Sequence, residues 1–558
     1  MLNTDIEDEF SLPFGSGRGD DSLKYHVTGV AKVPSPVNEP ECGYAEGTVE
    51  RAALDGALAE LTSADLEIPL IIGGEEVRTG QFLKSRIPHR HEHSLAEVHL
   101  AGPTEALQAV AAARAAWREW SRWSWQERAA VFLRAAELVT GPYRERLTAV
   151  TMLDQSKTVS EAEADAVCEF ADFLRFNANN VEKLLAMQPG ETAHAWNTLD
   201  YRPLEGFVYA VTPFNFTAIA GNLITVPALM GNVVVWKPSP NAMTSARIVM
   251  EVLEAAGMPP GVINLVYGDA IEITQTLVSH PDLAGVHFTG STAAFREIWM
   301  AAANGLPNNH NFPRLVGETG GKGFLLVHPS ANPDAVAAAI LDGAYQYSGQ
   351  KCSAVSRVYA PDNLWPAISE AVSQGVEQMQ MGDIADPHNY LGAVISEDAF
   401  KRHALVLDAA VDDPNMSLVT GGEVDGAEGW FVPPTLLQTS DPDADLMNRE
   451  LFGPIVTSYV YDESRWLETV DLVDRTSPFA LTGSIFCEDR ESLSRAVGGL
   501  QYAAGNLYVN TKPTGAMVGQ QPFGGNRNSG TNDKTGTVFH LSRWVSPRTI
   551  KESLDAPV

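Results

Sequence analysis

The chain has 558 residues, 39 Lys and Arg against 70 Asp and Glu, and therefore a formal net charge of −31, with 44% hydrophobic residues. This composition is typical of a folded globular protein of about three to five structural units. The acidic excess argues against binding nucleic-acid phosphates, which requires a positive surface. Four scattered cysteines without a CxxC spacing argue against a zinc site or a disulfide framework, and we expect no bound metal.

Targeting signals are not expected. Residues 1–10 carry four acidic residues and no basic one, unlike a secretory or mitochondrial leader. The uncharged stretch 206–236 is long enough to span a membrane, but it contains Pro and Asn residues that count against insertion in lipid. We therefore expect a cytoplasmic protein without a membrane or nucleic-acid partner. Residues 1–30 are expected to form a flexible N-terminal tail.

The elements follow a regular order. Segments 103–119 and 124–139 are predicted to be amphipathic helices, and another begins near Thr158. Buried strands are then predicted at 207–211, 233–236, 262–266, 286–289 and 314–317, separated by helices at 217–230, 242–256, 271–279 and 292–303. Gly231 and Gly257 should end two of these helices. This alternation predicts a doubly wound parallel sheet, and residues 324–509 predict a second α/β unit.

Polar residues or glycines follow all five strands. Ligands of such sheets bind beyond the carboxyl ends of the strands, so this arrangement predicts a cofactor crevice. The segments are 212–215, 237–239, 268–269, 290–292 and Glu318. Gly290 allows close approach of the backbone, and the helix after it offers free N–H groups that suit a pyrophosphate, although a plain helix cap by Ser291 or Thr292 is the alternative. No GxGxxG follows a strand, so NAD would bind in a non-standard way.

Cys352 is the candidate nucleophile. A helix should start at Asn332 with a cap and a proline in its first turn and end near Tyr347, so that Gly349 turns the chain and presents Cys352 from a loop. Most cysteines are buried packing residues, but this loop and the adjacent Lys351 favour a reactive thiolate. The other cysteines lack this context and are expected to be inert: Cys42, Cys168 and Cys487.

These residues resemble the aldehyde dehydrogenases. Residues 317–323 (GETGGKG) are similar to the glutamate motif of that family, and residues 349–352 (GQKC) to its nucleophile motif. Further segments match in order: 213–216 (PFNF), 236–239 (WKPS), 288–291 (FTGS) and 450–454 (ELFGP). The resemblance extends from about residue 40 to the end of the chain. It implies an aldehyde dehydrogenase-like α/β fold of two doubly wound parallel-sheet domains with a small β oligomerisation arm.

The same resemblance implies a domain division. Residues 31–190 and 206–316 are expected to form the NAD-binding domain, and 317–512 the catalytic domain. Residues 191–205 and 525–558 are expected to form the arm and the C-terminal segment, with 194–205 as the extended strand and 537–551 as its companion. Such arms pair across subunits, so we expect a homodimer or a larger homo-oligomer.

A narrower likeness is to the branch of the family that oxidises L-glutamate γ-semialdehyde in proline breakdown. It rests on residues 214–219, 349–354, 518–525 and 530–534. It implies NAD as the cofactor, an aldehyde substrate with a carboxylate, and a proline dehydrogenase as a candidate partner. Two other activities stay open, namely oxidation of another ω-semialdehyde and hydrolysis of thioesters by Cys352 without NAD; a third alternative is a catalytically silent binding protein.

The resemblance assigns three catalytic roles. Cys352 attacks the aldehyde carbon, Asn215 and the backbone N–H of Cys352 donate to the oxyanion, and Glu318 activates the water that hydrolyses the thioester.

The resemblance also implies the residues that bind the cofactor, with Lys237 and Glu450 holding its two riboses. Ser239 stands two residues after Lys237, where no acidic residue excludes the phosphate of NADP, so some use of NADP stays open. The full set is Thr212, Lys237, Ser239, Gly290, Ser291, Thr292, Ala293, Ala294, Glu450 and Phe452.

A substrate pocket follows from the same likeness. Phe216 and Phe523 would sandwich the aliphatic carbons, unless each is a core residue, and Ser353 would bond a carboxylate oxygen. The backbone N–H groups of Gly515 and Ala516 would receive the α-carboxylate, with Ala516 standing where the family has a serine. Glu169 would line the pocket, the alternative being a solvated helix face.

Overall fold

The computed structural model describes residues 31–555. Residues 31–34 contain neither helix nor strand, and the unit that begins at Ser35 holds every element described below. The tail predicted for residues 1–30 lies outside the described residues. No helix within residues 31–555 combines the length and the hydropathy needed to cross a bilayer.

The helices and strands follow one another along the whole described chain. The helices are α1 Val49–Ser63, α2 Pro103–Trp120, α3 Trp125–Thr140, α4 Arg144–Gln155, α5 Val159–Glu163, α6 Phe170–Leu185, α7 Thr217–Leu229, α8 Met243–Ala255, α9 Ala270–Val278, α10 Thr292–Gly305, α11 Pro333–Ile340, α12 Trp365–Gln378, α13 Glu397–Asp412, α14 Asp445–Asn448, α15 Trp466–Thr476, α16 Arg490–Gly499 and α17 Val538–Ser542. The strands are β1 Leu66–Ile68, β2 Leu70–Ile72, β3 Glu75–Val77, β4 Phe82–Ile87, β5 Arg90–His99, β6 Ala195–Pro203, β7 Phe207–Val211, β8 Val233–Lys237, β9 Ile263–Leu265, β10 Leu283–Thr289, β11 Arg314–Glu318, β12 Gly323–Val327, β13 Val355–Pro361, β14 Met416–Thr420, β15 Thr435–Thr439, β16 Ile455–Tyr461, β17 Phe479–Ala480, β18 Thr482–Phe486, β19 Asn506–Val509, β20 Asn526–Arg527 and β21 Val545–Ser553.

The first large sheet has the order β11-β10-β7-β8-β9-β2-β3. Its five strands from β7 to β11 are mutually parallel, as predicted, while β2 and β3 add an antiparallel edge. Strand β8 is buried throughout, which explains why it is an apolar run. Gly231 and Gly257 follow α7 and α8 with φ of 88° and 87°, the left-handed conformation that ends a helix.

The second large sheet has the order β14-β15-β16-β13-β12-β18-β19, parallel except for β14. Successive side chains of β12 point to opposite faces. Leu325 and Val327 pack with residues of α11 and α12, whereas Phe324 and Leu326 pack with residues of α15 and α16. Helices therefore cover both faces, and the predicted α/β fold with two such sheets is confirmed.

The predicted arm pairs two distant segments of the same chain. Strands β6 and β21 are antiparallel from Val545 opposite Pro203 to Ser553 opposite Ala195. The companion strand predicted over 537–551 starts later, and the prediction is wrong for its first residues. They form helix α17 because the Thr537 hydroxyl accepts a hydrogen bond from Phe539 N and caps it.

Candidate active site

The carboxyl ends of the strands of the first sheet lie side by side. Val211 pairs with Lys237 in β8, and Thr289 in β10 pairs with Glu318 in β11. Strand β11 runs through Glu318 and so continues past the domain boundary expected at residue 316. The register places Lys237 and Glu318 at the sheet edge where ligands of such folds bind.

The loop that carries Cys352 is shaped by a change of handedness. Asn332 caps α11 with its side chain and Pro333 is the first helical residue, as predicted. The helix then widens into one π turn, Leu341–Tyr345, before Tyr347, Ser348 and Gly349 take φ of 56°, 50° and 65°. A Cβ at Gly349 would lie 2.4 Å from the carbonyl oxygen of Gly453, so glycine is required there. The predicted turn at Gly349 is confirmed.

The nucleophile loop and the glutamate loop are in close contact. A Cβ on Gly321 would lie 2.1 Å from the carbonyl oxygen of Cys352. Because only glycine permits this approach, the glycines of the segment 317–323 let the two loops pack together. Cys352 and Glu318 consequently line the same cavity, of about 380 Å³.

The cavity also gathers the residues predicted to bind the substrate. Each of them lies in its wall: Glu169, Phe216, Ser353, Gly515, Ala516 and Phe523. Glu169 immediately precedes α6, Phe216 immediately precedes α7, and Ser353 lies in the nucleophile loop. The other three lie in the segment before β20. The N–H groups of Gly515 and Ala516 have no hydrogen-bond partner among the described residues, which leaves two donors for an anion.

Asn215 lies beneath the nucleophile loop. Its side chain is buried, and its Nδ2 donates to the carbonyl oxygen of Gln350 at 3.0 Å. An amide nitrogen carries two hydrogens, so one remains for an oxyanion near Cys352. The backbone N–H groups of Cys352 and Ser353 lie close to the thiol sulfur and are further donors at this point.

The charge state of Cys352 differs from the sequence prediction. Burial raises the pKa of its thiol well above 9.0, and the carboxyl groups of Glu318 and Glu450 raise it further. Lys351, expected to favour a thiolate, instead donates to Oε1 of Gln346 at 2.7 Å. The prediction of a thiolate favoured by Lys351 is therefore wrong, and the thiol must pass its proton to another group when it attacks.

Glu318 has the protonation properties of a general base. Burial raises the pKa of its carboxyl to about 7, although Lys534 acts in the opposite direction. Its Oε1 is buried and has no hydrogen-bond partner among residues 31–555. A carboxylate with a pKa near neutrality and a free oxygen can accept a proton from a thiol or a water molecule.

A buried ion pair that sequence analysis did not single out holds the start of α7. Asp165 accepts hydrogen bonds from the N–H groups of Thr217 and Ala218, each at 2.9 Å. Lys157 Nζ lies 2.6 Å from Asp165 Oδ2 and 4.3 Å from the centre of the Phe216 ring. Asn215 and Phe216 immediately precede this capped turn, so the pair fixes their place. Charged residues in an amphipathic helix usually face solvent, which is why the pattern gave no signal.

The residues predicted to bind the cofactor do not line this cavity. Those between Thr212 and Ala294 lie at or after the ends of β7, β8 and β10, whereas Glu450 and Phe452 lie between α14 and β16. Lys237 is buried with Nζ 3.3 Å from the carbonyl oxygen of Pro238, and burial lowers the pKa of its amine to about 8. Ser239 accepts a hydrogen bond from Asn241 N at 3.3 Å, and Thr212 accepts one from Trp236 Nε1 at 2.9 Å.

The N-terminus of α10 is open. Ser291 caps the helix through a bond from Ala294 N at 3.2 Å, so the cap expected as an alternative is present. The N–H groups of Thr292 and Ala293 have no partner among the described residues, and Ala293 is exposed. Gly290 packs against the ring of Phe288, which would lie 2.8 Å from a Cβ. A free N–H pair at a helix start suits a phosphate group.

Glu450, in the part of the chain that forms the second sheet, contacts the glycine-rich segment 317–323. Its Oε1 accepts a hydrogen bond from Gly321 N at 2.6 Å, and a Cβ on Gly320 would lie 2.1 Å from its Oε2. Burial raises the pKa of this carboxyl to about 7. Phe452, at φ 59°, stacks edge to face on Phe214 with ring centres 5.8 Å apart.

Comparison with known proteins identifies the relatives of the chain. Residues 77–550 match the family described as Aldehyde dehydrogenase family. The chain is 44% identical over 526 residues to the delta-1-pyrroline-5-carboxylate dehydrogenase, mitochondrial, of Dictyostelium discoideum, with 94% of each covered.

Two solved structures extend the comparison. The delta-pyrroline-5-carboxylate dehydrogenase of Mycobacterium tuberculosis bound with NAD is 46% identical at a TM-score of 0.92, covering 95% of this chain and 98% of that one. Proline utilization A (PutA) of Bdellovibrio bacteriovorus is 29% identical at a TM-score of 0.89, and 55% of that chain is covered. From the family match over most of its length and the first two relatives, the chain belongs to the aldehyde dehydrogenase family.

Proposed function

We propose that the protein oxidises L-glutamate γ-semialdehyde to L-glutamate with NAD, in the degradation of proline. One observation carries the proposal: a single cavity joins Cys352 and Glu318 to the free N–H groups of Gly515 and Ala516. The first pair supplies the chemistry and the second recognises a carboxylate at the far end of the aldehyde. The names of the relatives from Dictyostelium and Mycobacterium support this substrate.

The first step is attack by Cys352. Its sulfur bonds to the aldehyde carbon while the thiol proton leaves, and Glu318 in the same cavity accepts that proton, directly or through one water molecule. The carbonyl oxygen becomes an oxyanion that receives hydrogen bonds from the free amide hydrogen of Asn215 and the N–H of Cys352. Removing one such donor typically lowers a rate by about 10²–10³.

The residues at the strand ends fit NAD. The free N–H groups at the start of α10 suit its pyrophosphate, and the Lys237 ammonium and the Glu450 carboxylate suit ribose hydroxyls. The chemistry that NAD supplies when bound is acceptance of the hydride from the aldehyde carbon. Glu450 Oε1 already accepts one bond from Gly321 N, and a carboxylate can accept further bonds from ribose hydroxyls. Ser239 puts no carboxylate near the adenosine ribose proposed to bind Lys237, so some use of NADP stays open, although the resemblance favours NAD.

The last step is hydrolysis of the thioester left on Cys352. Glu318 first releases to solvent the proton that it took from Cys352, as its pKa of about 7 permits, and then accepts a proton from the attacking water, which generates a hydroxide-like nucleophile. Its unpartnered Oε1 is the oxygen available for that water. The leaving sulfur takes up a proton, and L-glutamate is released.

The substrate is held at its other end by the loop that contains Gly515 and Ala516. Their N–H groups bind the α-carboxylate, Ser353 adds a hydroxyl donor, and Phe216 and Phe523 flank the methylene groups. Glu169, whose pKa is raised to about 8 by burial, lines the same space. Ala516 offers only its backbone, so carboxylate binding depends on the position of the loop.

Further proposals concern the whole chain. Residues 31–190 and 206–316, together with the last two residues of β11, would form the NAD-binding domain, the chain from there to 512 the catalytic domain, and 191–205 with 525–558 the arm and the C-terminal segment. The β6–β21 pair has exposed edges that suit a homo-oligomer. A proline dehydrogenase partner is suggested by the likeness to part of proline utilization A. A cytoplasmic location stays a prediction, and the relative from Dictyostelium is named as mitochondrial.

Steady-state kinetics test the proposal. With NAD, kcat/KM for L-glutamate γ-semialdehyde should exceed that for succinate semialdehyde, because only the former places a carboxylate and an ammonium on the α-carbon. A preference for succinate semialdehyde would reassign the substrate. Hydrolysis of a thioester without NAD, together with no NADH from any aldehyde, would instead indicate a thioester hydrolase, and failure to turn over either kind of substrate would indicate a binding protein.

A further inference from the structure

We propose that Asn38 is a positioning residue that holds the carboxylate-binding loop against α6 and so sets the affinity for the substrate. The loop, residues 514–521, is called the anchor loop below, and residues 38–44 are called the N-terminal strap. The inference rests on the proposed function, because the anchor loop is the proposed binding site for the substrate carboxylate. It assigns the control of substrate affinity to a residue far from that loop in sequence.

The N-terminal strap is fastened to the helices. The Glu39 carboxylate lies 3.0 Å from Arg144 Nη1 and 2.7 Å from Arg175 Nη1. At the other end of the strap, Tyr44 donates its hydroxyl to Glu163 Oε2 at 3.0 Å. These ion pairs and the hydroxyl bond involve α4, α5 and α6, so the strap keeps its place on the helices without any help from Asn38.

Asn38 joins this fixed strap to the anchor loop. Its Nδ2 donates to Asp172 Oδ2 at 2.7 Å and to the carbonyl oxygen of Val518 at 2.9 Å, which uses both amide hydrogens. Its Oδ1 accepts a bond from Gln520 Nε2 at 3.1 Å. One amide therefore connects α6, through Asp172, with two residues of the anchor loop.

The position of the anchor loop decides whether its donors reach a carboxylate. Gly515 takes φ of 79°, and a Cβ there would meet no atom within 4 Å, so the loop is open at this position. Gly519 instead packs on α6, where Phe176 Cε1 would lie 2.1 Å from a Cβ. Asn38 adds polar links beside this apolar contact. Asp172, Met517 and Val518 all line the cavity, so a shift of the loop changes the cavity itself.

The test compares Asn38→Ala with the wild type on two aldehydes. Loss of the two hydrogen bonds to the anchor loop should raise KM for L-glutamate γ-semialdehyde by about tenfold, because each bond alone accounts for only part of a tenfold change in affinity. The value of kcat should change little. KM for propanal, which has no carboxylate, should stay within about twofold. The matched control is Asn197→Ala in the arm. It removes a hydrogen bond of similar length, 3.0 Å, from the Asn197 side-chain amide to the carbonyl oxygen of Gly190, and it should leave KM for both aldehydes unchanged.

A readout independent of turnover follows the loop directly. Hydrogen exchange of the peptide that covers 514–521 should be faster in Asn38→Ala than in the wild type and unchanged in Asn197→Ala. Unaltered exchange, an unaltered KM for the semialdehyde, or an equal rise of KM for propanal would each overturn the proposal. If the wild type itself does not favour the semialdehyde over propanal, the proposed function and the role in affinity both fail, while exchange still decides whether Asn38 holds the loop.

A double variant separates position from charge. Asn38→Ala also leaves Asp172 Oδ2 without its donor in the cavity wall, and that carboxylate could repel the substrate. Asp172→Asn in the same chain removes this charge and keeps an acceptor for Glu39 N, which lies 2.8 Å from Oδ1. KM should remain raised in Asn38→Ala/Asp172→Asn. Its return to the wild-type value would assign the effect to charge and overturn the role in positioning.

Discussion

The reactivity of Cys352 depends on residues that reach it from other parts of the chain. Its thiol has a raised pKa because burial and two carboxyl groups, Glu318 and Glu450, disfavour the thiolate. The proton must therefore move during attack rather than before it. In the proposed mechanism, Glu318 therefore takes part in the first chemical step as well as in hydrolysis.

Replacing the nucleophile tests this chemistry most directly. Cys352→Ala should abolish oxidation of every aldehyde, because the other cysteine of the cavity wall, Cys168, is buried and its thiol donates to Glu163 Oε1 at 3.9 Å. NAD affinity measured by calorimetry should stay near that of the wild type. Cys487→Ser is the control, since Cys487 immediately follows β18, is buried and donates to the carbonyl oxygen of Asp489. Turnover by Cys352→Ala near the wild-type rate would identify a different nucleophile.

The pKa of Glu318 predicts a pH dependence. The base acts only when deprotonated, so kcat/KM should be constant above its pKa of about 7 and fall by about tenfold per pH unit below it. Glu318→Gln should remove this inflection. Acylation of Cys352 should then be slow, with water as the proton acceptor, and because hydrolysis also lacks its base, an acyl-enzyme should accumulate on prolonged incubation, visible as added mass on the intact protein.

Glu450 complicates the profile because its pKa is also about 7. Glu450→Gln is therefore the matched control, and it should weaken NAD binding without trapping an acyl-enzyme. An acyl-enzyme in Glu450→Gln but not in Glu318→Gln would exchange the two roles.

Sequence motifs predicted the identity of the reactive residues but not their charge state. Residues 317–323 and 349–352 could be located because they resemble the glutamate and nucleophile motifs of the aldehyde dehydrogenases. The pKa of Cys352 could not be predicted, since Glu450 lies about a hundred residues further along the chain. Asn38 gave no signal either, because its partners Val518 and Gln520 are almost the whole chain away.

At the scale of elements, the helix that begins near Thr158 shows what periodicity can and cannot predict. Its existence follows from apolar residues at steps of three and four. The structure divides it into α5, a π turn at Ala164–Glu169, and α6. Wide turns of this kind often mark functional sites. Here the turn carries Asp165, which caps α7, and Glu169, which lines the cavity. Those contacts are made outside the helix, so local sequence could not predict them.

The ion pair between Lys157 and Asp165 offers a prediction for this element. Both side chains are almost fully buried, so removal of one partner leaves an uncompensated charge in the interior. Lys157→Met should lower the free energy of unfolding by about 3 kcal/mol or more, measured by urea denaturation.

The double variant Lys157→Met/Asp165→Asn removes both charges, and an asparagine still offers an oxygen to one N–H of α7. It should recover most of the stability lost by Lys157→Met. Equal destabilisation of the single and double variants would mean that packing on Phe216, rather than charge, governs this site.

At the scale of the molecule, alternation of strands and helices predicted both large sheets. It did not predict that β2 and β3 extend the first sheet, because they join its edge from far upstream and antiparallel. The C-terminal segment is similar. Helix α17 packs against α6, and its His540 reaches β10 inside the first sheet. Such long-range pairings depend on closure of the whole chain, which no local pattern encodes.

The contact of His540 with β10 makes the final prediction. His287 Nδ1 lies 2.7 Å from the carbonyl oxygen of Leu223, which only accepts, so this nitrogen donates and Nε2 of the neutral ring is an acceptor. His540 Nε2 lies 3.0 Å away and must be the donor. Burial keeps both rings neutral: the pKa of His540 falls from 6.5 to about 4, and that of His287 falls well below 6.5.

Protonation of either ring therefore opposes folding. The unfolded chain takes up these protons as the pH falls below 6.5, whereas the folded chain resists until about pH 4, so the stabilisation from neutral His540 is complete above 6.5 and is lost as the pH falls. Between about pH 7.5 and about pH 5 the loss from His540 is about 2 kcal/mol. Buried carboxyl groups with raised pKa act in the opposite direction over this range, so the total pH dependence does not isolate the histidines.

A comparison of variants isolates them. His540→Gln cannot gain a proton but keeps an N–H donor for His287 Nε2, and the carboxyl groups are common to both proteins. Urea denaturation at one protein concentration gives the free energy of unfolding of each protein at both pH values. Between about pH 7.5 and about pH 5 this free energy should fall by about 2 kcal/mol more in the wild type than in His540→Gln. His310→Gln is the control, because His310 is exposed and pairs with Asp282 at the surface, and it should follow the wild type. Parallel losses in the wild type and His540→Gln would show that this buried ring does not resist protonation.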